Sequence, residues 1–181
     1  MKTAAVSLLK ISSASLALAL SPLAANETNC FFSNAGLRIG VDTESQIDLV
    51  SYEAFATINT GWSWDLSDRI RLDLDIESAI GGLSGEDKNA VYFRIAPVAE
   101  IHYGDSPISV VLSSGPSLYS EDRYDLHDIG GHFQFTSSIG LNWQFDETWT
   151  VGYRFQHTSN ADTDSPNPGL DMHTVSIAYK F

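Results

Sequence analysis

From Leu37 to the C-terminal Phe181 the chain alternates apolar and polar residues, one for one, in segment after segment. Leu37, Ile39 and Val41 alternate with Arg38 and Gly40. Val50, Tyr52, Ala54, Ala56 and Ile58 alternate with Ser51, Glu53 and Thr57, and Ile70, Leu72, Leu74 and Ile76 with Arg71, Asp73, Asp75 and Glu77. Further runs begin at Val91, Ile108, Phe133, Trp149 and Val175. A repeat of two is the strand period, because successive side chains on a strand point to opposite faces. Phe55 interrupts the second run. The pattern predicts eight strands, an even number, as in the barrels of bacterial outer membranes.

Alternation fits a soluble sandwich with a dry core as well as a barrel with a polar interior and an apolar belt. Two other features choose between them. Lys2 and Lys10, the apolar stretch 14–20 and the small residues up to Ala25 read as a secretory signal peptide, residues 1–25, removed after Ala25. Its apolar part is shorter than the ~20 residues a spanning helix needs. At the other end, Val175, Ile177, Tyr179 and Phe181 form an alternating strand that ends on an aromatic residue. This ending resembles the signal read by the outer-membrane assembly machinery, which Phe181 is therefore expected to engage. Residues 26–181 are expected to form one domain, an eight-stranded antiparallel transmembrane β-barrel in the outer membrane of a Gram-negative bacterium. A closed barrel is the way a strand-built chain satisfies its backbone hydrogen bonds in lipid. Trp62, Trp64, Tyr103, Trp143 and Trp149 fit interfacial girdles.

Loss of residues 1–25 moves the formal net charge from −13 to −15, and so acidic a chain does not attract nucleic-acid phosphates. The single cysteine, Cys30, follows polar Glu27, Thr28 and Asn29, unlike a lipoprotein cysteine, and has no partner for an internal disulfide. Segments 104–107 and 146–148 read as tight turns, 80–89, 115–130 and 158–169 as long polar loops, and 60–68 as intermediate. Short turns face the periplasm and long loops the outside, which puts the loop after the seventh strand at the cell surface. His102 and His132 have polar-face parity and are expected in the lumen; His127 and His173 are given no role.

The chemistry-bearing residues gather at the last two strands, in the stretch from Arg154 to Ala161 and from Pro166 to Asp171. His157 and Ser159 are separated by one residue, so on a strand they point the same way, about 6.5 Å apart along the chain. A serine hydroxyl becomes a nucleophile when a base stands beside it. His157 continues the odd series Trp149, Val151, Tyr153 and Phe155, and Asp171 shares parity with Val175, Ile177, Tyr179 and Phe181. All three residues are therefore expected on the outer, lipid-facing side of the wall. There His157 would act as base, Ser159 as nucleophile and Asp171 as the acid that orients His157, with Asn160 donating to the oxyanion.

The run Arg154-Phe155-x-His157-x-Ser159-Asn160-Ala161, followed by Pro166-Asn167-x-Gly169-Leu170-Asp171, resembles the signature of the lipid A 3-O-deacylases (PagL-type, acyloxyacyl hydrolase-like). The likeness is concentrated in about the last thirty residues. It implies a hydrolase of carboxylic esters that removes the 3-position hydroxyacyl chain of lipid A in lipopolysaccharide through a His-Ser-acid triad, without a cofactor or metal. Carried over residue by residue, the triad is His157, Ser159 and Asp171, Asn160 is the oxyanion-hole residue and Asn167 a supporting residue of the loop. The family's acid is usually glutamate, so Asp171 is one methylene shorter; Asp162 and Asp164 are nearby substitutes. The partner implied is lipid A in the outer leaflet, with the oligomeric state left open and a homodimer as one option. Three other readings stand beside it: a non-enzymatic adhesin or structural barrel, a phospholipase or acyltransferase of the same membrane, and a narrow pore, against which the expected side-chain-filled lumen counts.

Overall fold

The computed structural model describes residues 31–42, 49–85, 88–124 and 127–181; the expected signal peptide, residues 1–25, and Cys30 lie outside them. The barrel strands are β1 (Phe32–Asp42), β2 (Val50–Ser67), β3 (Ile70–Ser84), β4 (Asn89–Tyr103) and β5 (Ile108–Tyr119), then β8 (Phe133–Gln144), β9 (Trp149–Ser159) and β10 (Leu170–Lys180). The two-residue strands β6 (Arg123–Tyr124) and β7 (His127–Asp128) form a separate small hairpin in the loop between β5 and β8. The eight long strands form an antiparallel meander closed into a barrel. β10 returns to pair with β1, Ala35 opposite Tyr179 and Val41 opposite His173. Even the 11-residue strands β1, β9 and β10 meet the ~9–11 residues a tilted strand needs to cross a bilayer.

The alternation maps onto this wall as expected. Leu37, Ile39, Val110, Ile139, Val175 and Ile177 are exposed on the outside, while Arg38, Glu53, Glu77, Arg94 and Arg154 are buried in the lumen. Three arginines and two glutamates form one network there. Glu77 accepts from Arg38 at 3.1 Å, from Arg94 at 2.9 Å and from Arg154 at 3.1 Å. Glu53 binds Arg38 and, at 3.0 Å, Arg94. Toward the long-loop end Leu49, Leu83, Tyr92, Tyr119, Ile129 and Met172 form a dry plug. Side chains fill the interior from the ion network to the long-loop end, and a cavity of about 190 Å³ lined by Asp75, Glu100, His102 and Arg154 remains toward the short-turn mouth.

Departures from the sequence pattern have local causes. Phe55, which broke the alternation, turns inward and covers the Arg38 guanidinium, whose carbon lies 4.4 Å from the ring centre. Segment 60–68 is mostly strand, not loop, because β2 carries a bulge between Ile58 and Trp62. Two extra residues there leave the parity unchanged, so Trp62 and Trp64 still face outward. Segments 80–89 and 115–130 are shorter loops than expected, since β3 runs on to Ser84 and β5 to Tyr119. Gly81 ends the apolar pattern yet stays in the strand, where its missing side chain makes room for Tyr92: a Cβ would lie 2.5 Å from Cζ of that ring.

The turns 104–107 and 146–148 are tight, as expected. In the latter, Asp146 accepts the backbone N–H of Thr148 and of Trp149, each at 2.7 Å, and these bonds hold its carboxyl below the usual carboxylate range. His102 sits half-buried at the short-turn mouth with its Nε2 3.1 Å from Asp73. His132 is not in the lumen: it is exposed just ahead of β8, where its Nδ1 meets the Tyr119 carbonyl at 3.0 Å.

Glu77 is the hub of the lumen, and its removal leaves Arg154 without an acidic partner among the described residues. Breaking a buried ion network by deleting one member costs about 3 kcal/mol or more. Glu77→Ala is expected to lower the urea midpoint of barrel unfolding far more than Ile139→Ala on the outer wall.

Candidate active site

Strand register brings the first two site residues together. His157 on β9 stands directly opposite Asp171 on β10. Its Nδ1 lies 2.5 Å from Asp171 Oδ1, with the imidazole about half exposed and the carboxylate about four-fifths covered. Tying Nδ1 to the carboxylate turns Nε2 the other way, free to serve as a base. Ser159 shares the outward face of β9, two residues further toward the loop, and is half-buried. Among the described residues no hydrogen bond joins Ser159 to His157. Asp162 and Asp164, the substitute acids, face away: Asp162 accepts Asn167 Nδ2 at 2.9 Å and Asp164 accepts the Ser165 N–H at 2.7 Å.

The loop after Ser159 is organised by Asn160, which is 0 % exposed. Its Nδ2 donates to the carbonyls of Gly130 (2.8 Å), Asp164 (3.0 Å) and Pro166 (3.1 Å), and its Oδ1 accepts the Asp162 N–H at 2.9 Å. Its own backbone N–H donates to Asn167 Oδ1 at 3.1 Å. The expected oxyanion role is therefore not open to the Asn160 side chain, which is spent inside the loop. Even parity turns it inward with Gln156 and Thr158, away from His157 and Ser159.

Three further residues support the site, none of which was given a role from the sequence. Gly169 adopts φ +77°, and a Cβ there would lie 3.0 Å from His157 Cε1, so the imidazole packs on bare backbone. His127 of β7 holds the Gly169 carbonyl through Nε2 at 3.1 Å. Gly130 (φ +76°) approaches so closely that a Cβ would meet the Pro166 carbonyl oxygen at 1.7 Å. The β5–β8 loop thus braces the loop that carries the site.

Residues 50–180 match the family model of the lipid A 3-O-deacylases (PagL). The chain belongs to that family. Its curated relatives include the lipid A deacylase PagL of Bordetella bronchiseptica, 36% identical over 67 residues, which are 37% of this chain and 38% of that protein. The lipid A deacylase PagL of Pseudomonas aeruginosa is 29% identical over 102 residues, 55% of this chain and 57% of its own length. The matched stretches thus span less than two thirds of either relative. The crystal structure of the outer membrane enzyme PagL superposes with a TM-score of 0.71 at 19% identity, covering 82% of this chain and 99% of that one, and shows a shared fold. A de novo designed transmembrane β-barrel gives a TM-score of 0.50 at 12% identity, covering 85% of this chain and all of the designed one (100%). Within the PagL-family barrel the Asp171 departure from glutamate is met by register, since the carboxylate reaches His157 without a longer side chain.

Asn160→Ala would leave buried carbonyls of the loop without donors, at about 1–3 kcal/mol. Faster amide exchange or proteolysis within 161–168, with protection of the barrel strands unchanged, is the expected result.

Proposed function

We propose that this PagL-family chain is an outer-membrane serine esterase that hydrolyses the 3-position hydroxyacyl ester of lipid A. The observation that carries this reading is an imidazole–carboxylate pair on the outside of the wall, with a serine on the same face two residues on. An imidazole–carboxylate pair on an outward apolar belt has no use for a soluble substrate, but it meets an ester that a neighbouring lipid presents sideways. The long-loop end, where His157 and Ser159 lie, is the outer-leaflet end of the barrel.

In the reaction His157 Nε2 takes the Ser159 proton as Oγ attacks the ester carbonyl. The tetrahedral intermediate collapses, the C–O bond to the sugar breaks, and His157 returns the proton to the leaving alkoxide. Water, deprotonated by the same imidazole, then releases the hydroxy fatty acid from Ser159. Asp171 fixes the tautomer with the proton on Nδ1 and balances the imidazolium charge. Contacts between nucleophile and base commonly tighten only in the substrate complex. Asn160 shapes the loop beside the nucleophile, with Asn167 as its partner.

Ser159→Ala and His157→Ala barrels are expected to insert normally and leave lipid A at full mass by mass spectrometry. Asp171→Asn should lose about 10³–10⁴ in rate, because the amide favours the wrong tautomer. Continued release of the 3-hydroxyacyl chain by Ser159→Ala would disprove the assignment. Release of fatty acid from phospholipid with lipid A untouched would make the chain a phospholipase instead.

A further inference from the structure

We propose that Ser114 and Ser137 form a hydroxyl-binding subsite that selects 3-hydroxylated acyl chains. This inference rests on the esterase reading above. Both serines are exposed on the outer wall, in runs that are otherwise apolar: Leu112 and Pro116 flank Ser114, and Phe135 and Ile139 flank Ser137. They face each other across β5 and β8, with the two Oγ atoms 2.9 Å apart. Ser137 in turn stands opposite His157, and His157 opposite Asp171. Four adjacent strands thus carry one polar row, Ser114–Ser137–His157–Asp171, across the apolar belt.

Two hydroxyls that bond only to each other leave one O–H donor and several lone pairs unused. Neither serine has another hydrogen-bond partner among the described residues. In an apolar surround such unused capacity is costly, and a ligand group able both to donate and to accept satisfies it. The 3-hydroxyl of the acyl chain is such a group.

The distances agree. Ser159 pairs with Phe135 on β8, so Ser137 is its diagonal neighbour, one step deeper into the belt. Diagonal neighbours lie roughly 7–8 Å apart. A carbonyl carbon at about 3 Å from Ser159 Oγ and a hydrogen bond of about 2.8 Å at Ser137 leave room between them for the three bonds from that carbon to the 3-hydroxyl. An acyl chain whose ester sits at Ser159 runs down the wall, away from the loop end, and its 3-hydroxyl passes the Ser137 level first.

The test uses the full-length barrel in detergent micelles and two nitrophenyl esters of equal chain length, one with and one without the 3-hydroxyl. The wild type should prefer the hydroxylated ester in kcat/KM by about tenfold. Ser137→Ala, alone and with Ser114→Ala, should bring that ratio close to one. Both changes make the outer wall more apolar, so the barrel should fold as before, checked by its heat-modifiable gel mobility. A wild type without preference, or variants that keep the ratio, would overturn the subsite. An equal loss on both esters would overturn it too, since Ser137 would then be acting on His157. A wild type that cleaves neither of these esters, nor lipid A, would instead sink the esterase reading.

Discussion

Closure of β10 onto β1 is the constraint from which the other features of this barrel follow. An open sheet edge in lipid leaves backbone N–H and C=O groups without partners, so the meander completes the ring. Once the ring is closed, the pleat assigns every residue to one of two environments. Polar side chains that belt lipid would be penalised turn inward, where they need partners of their own. Three arginines gathered on Glu77 and Glu53, with Phe55 stacked over one of them, are how this lumen meets that need. An uncharged core would solve the inside equally well for stability, but here the network ties β1, β2, β3, β4 and β9 together and stiffens the wall that carries the site.

That division makes polarity on the outside informative. A lumen aspartate is expected, whereas an aspartate on the outer wall must do something that offsets its desolvation. Asp171 does so by taking His157 as its partner at 2.5 Å. Strand β9 therefore carries two kinds of chemistry on its two faces: Arg154, Gln156 and Thr158 serve the lumen, and His157 and Ser159 look out. The imidazole also needs a floor, which a residue with a side chain cannot provide. Gly169 gives it bare backbone, and His127 pins the carbonyl of that glycine from the neighbouring loop. Precision at the site comes from paired strands, and the loop is held in place by a second loop.

The architecture was legible in the sequence because a period of two survives wherever side chains face lipid or lumen. It was lost where the wall needs small residues: Gly81 under Tyr92, and the run from Gly115 to Ser117, read as loop although both are strand. Phe55 looked like an error in the pattern because nothing in one strand announces a guanidinium on the next. At the site, the facing of His157 and Asp171 followed from parity alone, since both lie on regular strands. The fate of Asn160 did not. Its partners come from residues four and six positions on and from Gly130 thirty positions earlier, and no periodicity encodes a loop that folds around a side-chain amide. Ser114 and Ser137 were visible as polar residues in apolar phase, but their meaning depended on the strand register that sets Ser137 against His157.

Register also explains why a shorter acid suffices. Residues directly opposite on antiparallel strands have Cβ atoms about 4.5–5.5 Å apart. From that separation an aspartate reaches the near nitrogen of an imidazole, and an extra methylene would have to fold aside. Asp162 and Asp164 are closer to His157 along the chain than Asp171 is, yet their carboxylates are bound to Asn167 and to the Ser165 N–H. Sequence proximity puts an acid into a loop whose own hydrogen bonds claim it. Pairing across β9 and β10 delivers one from fourteen residues away at bonding distance. The strand pairing that helps close the barrel is thus also what brings this aspartate within bonding distance of its imidazole.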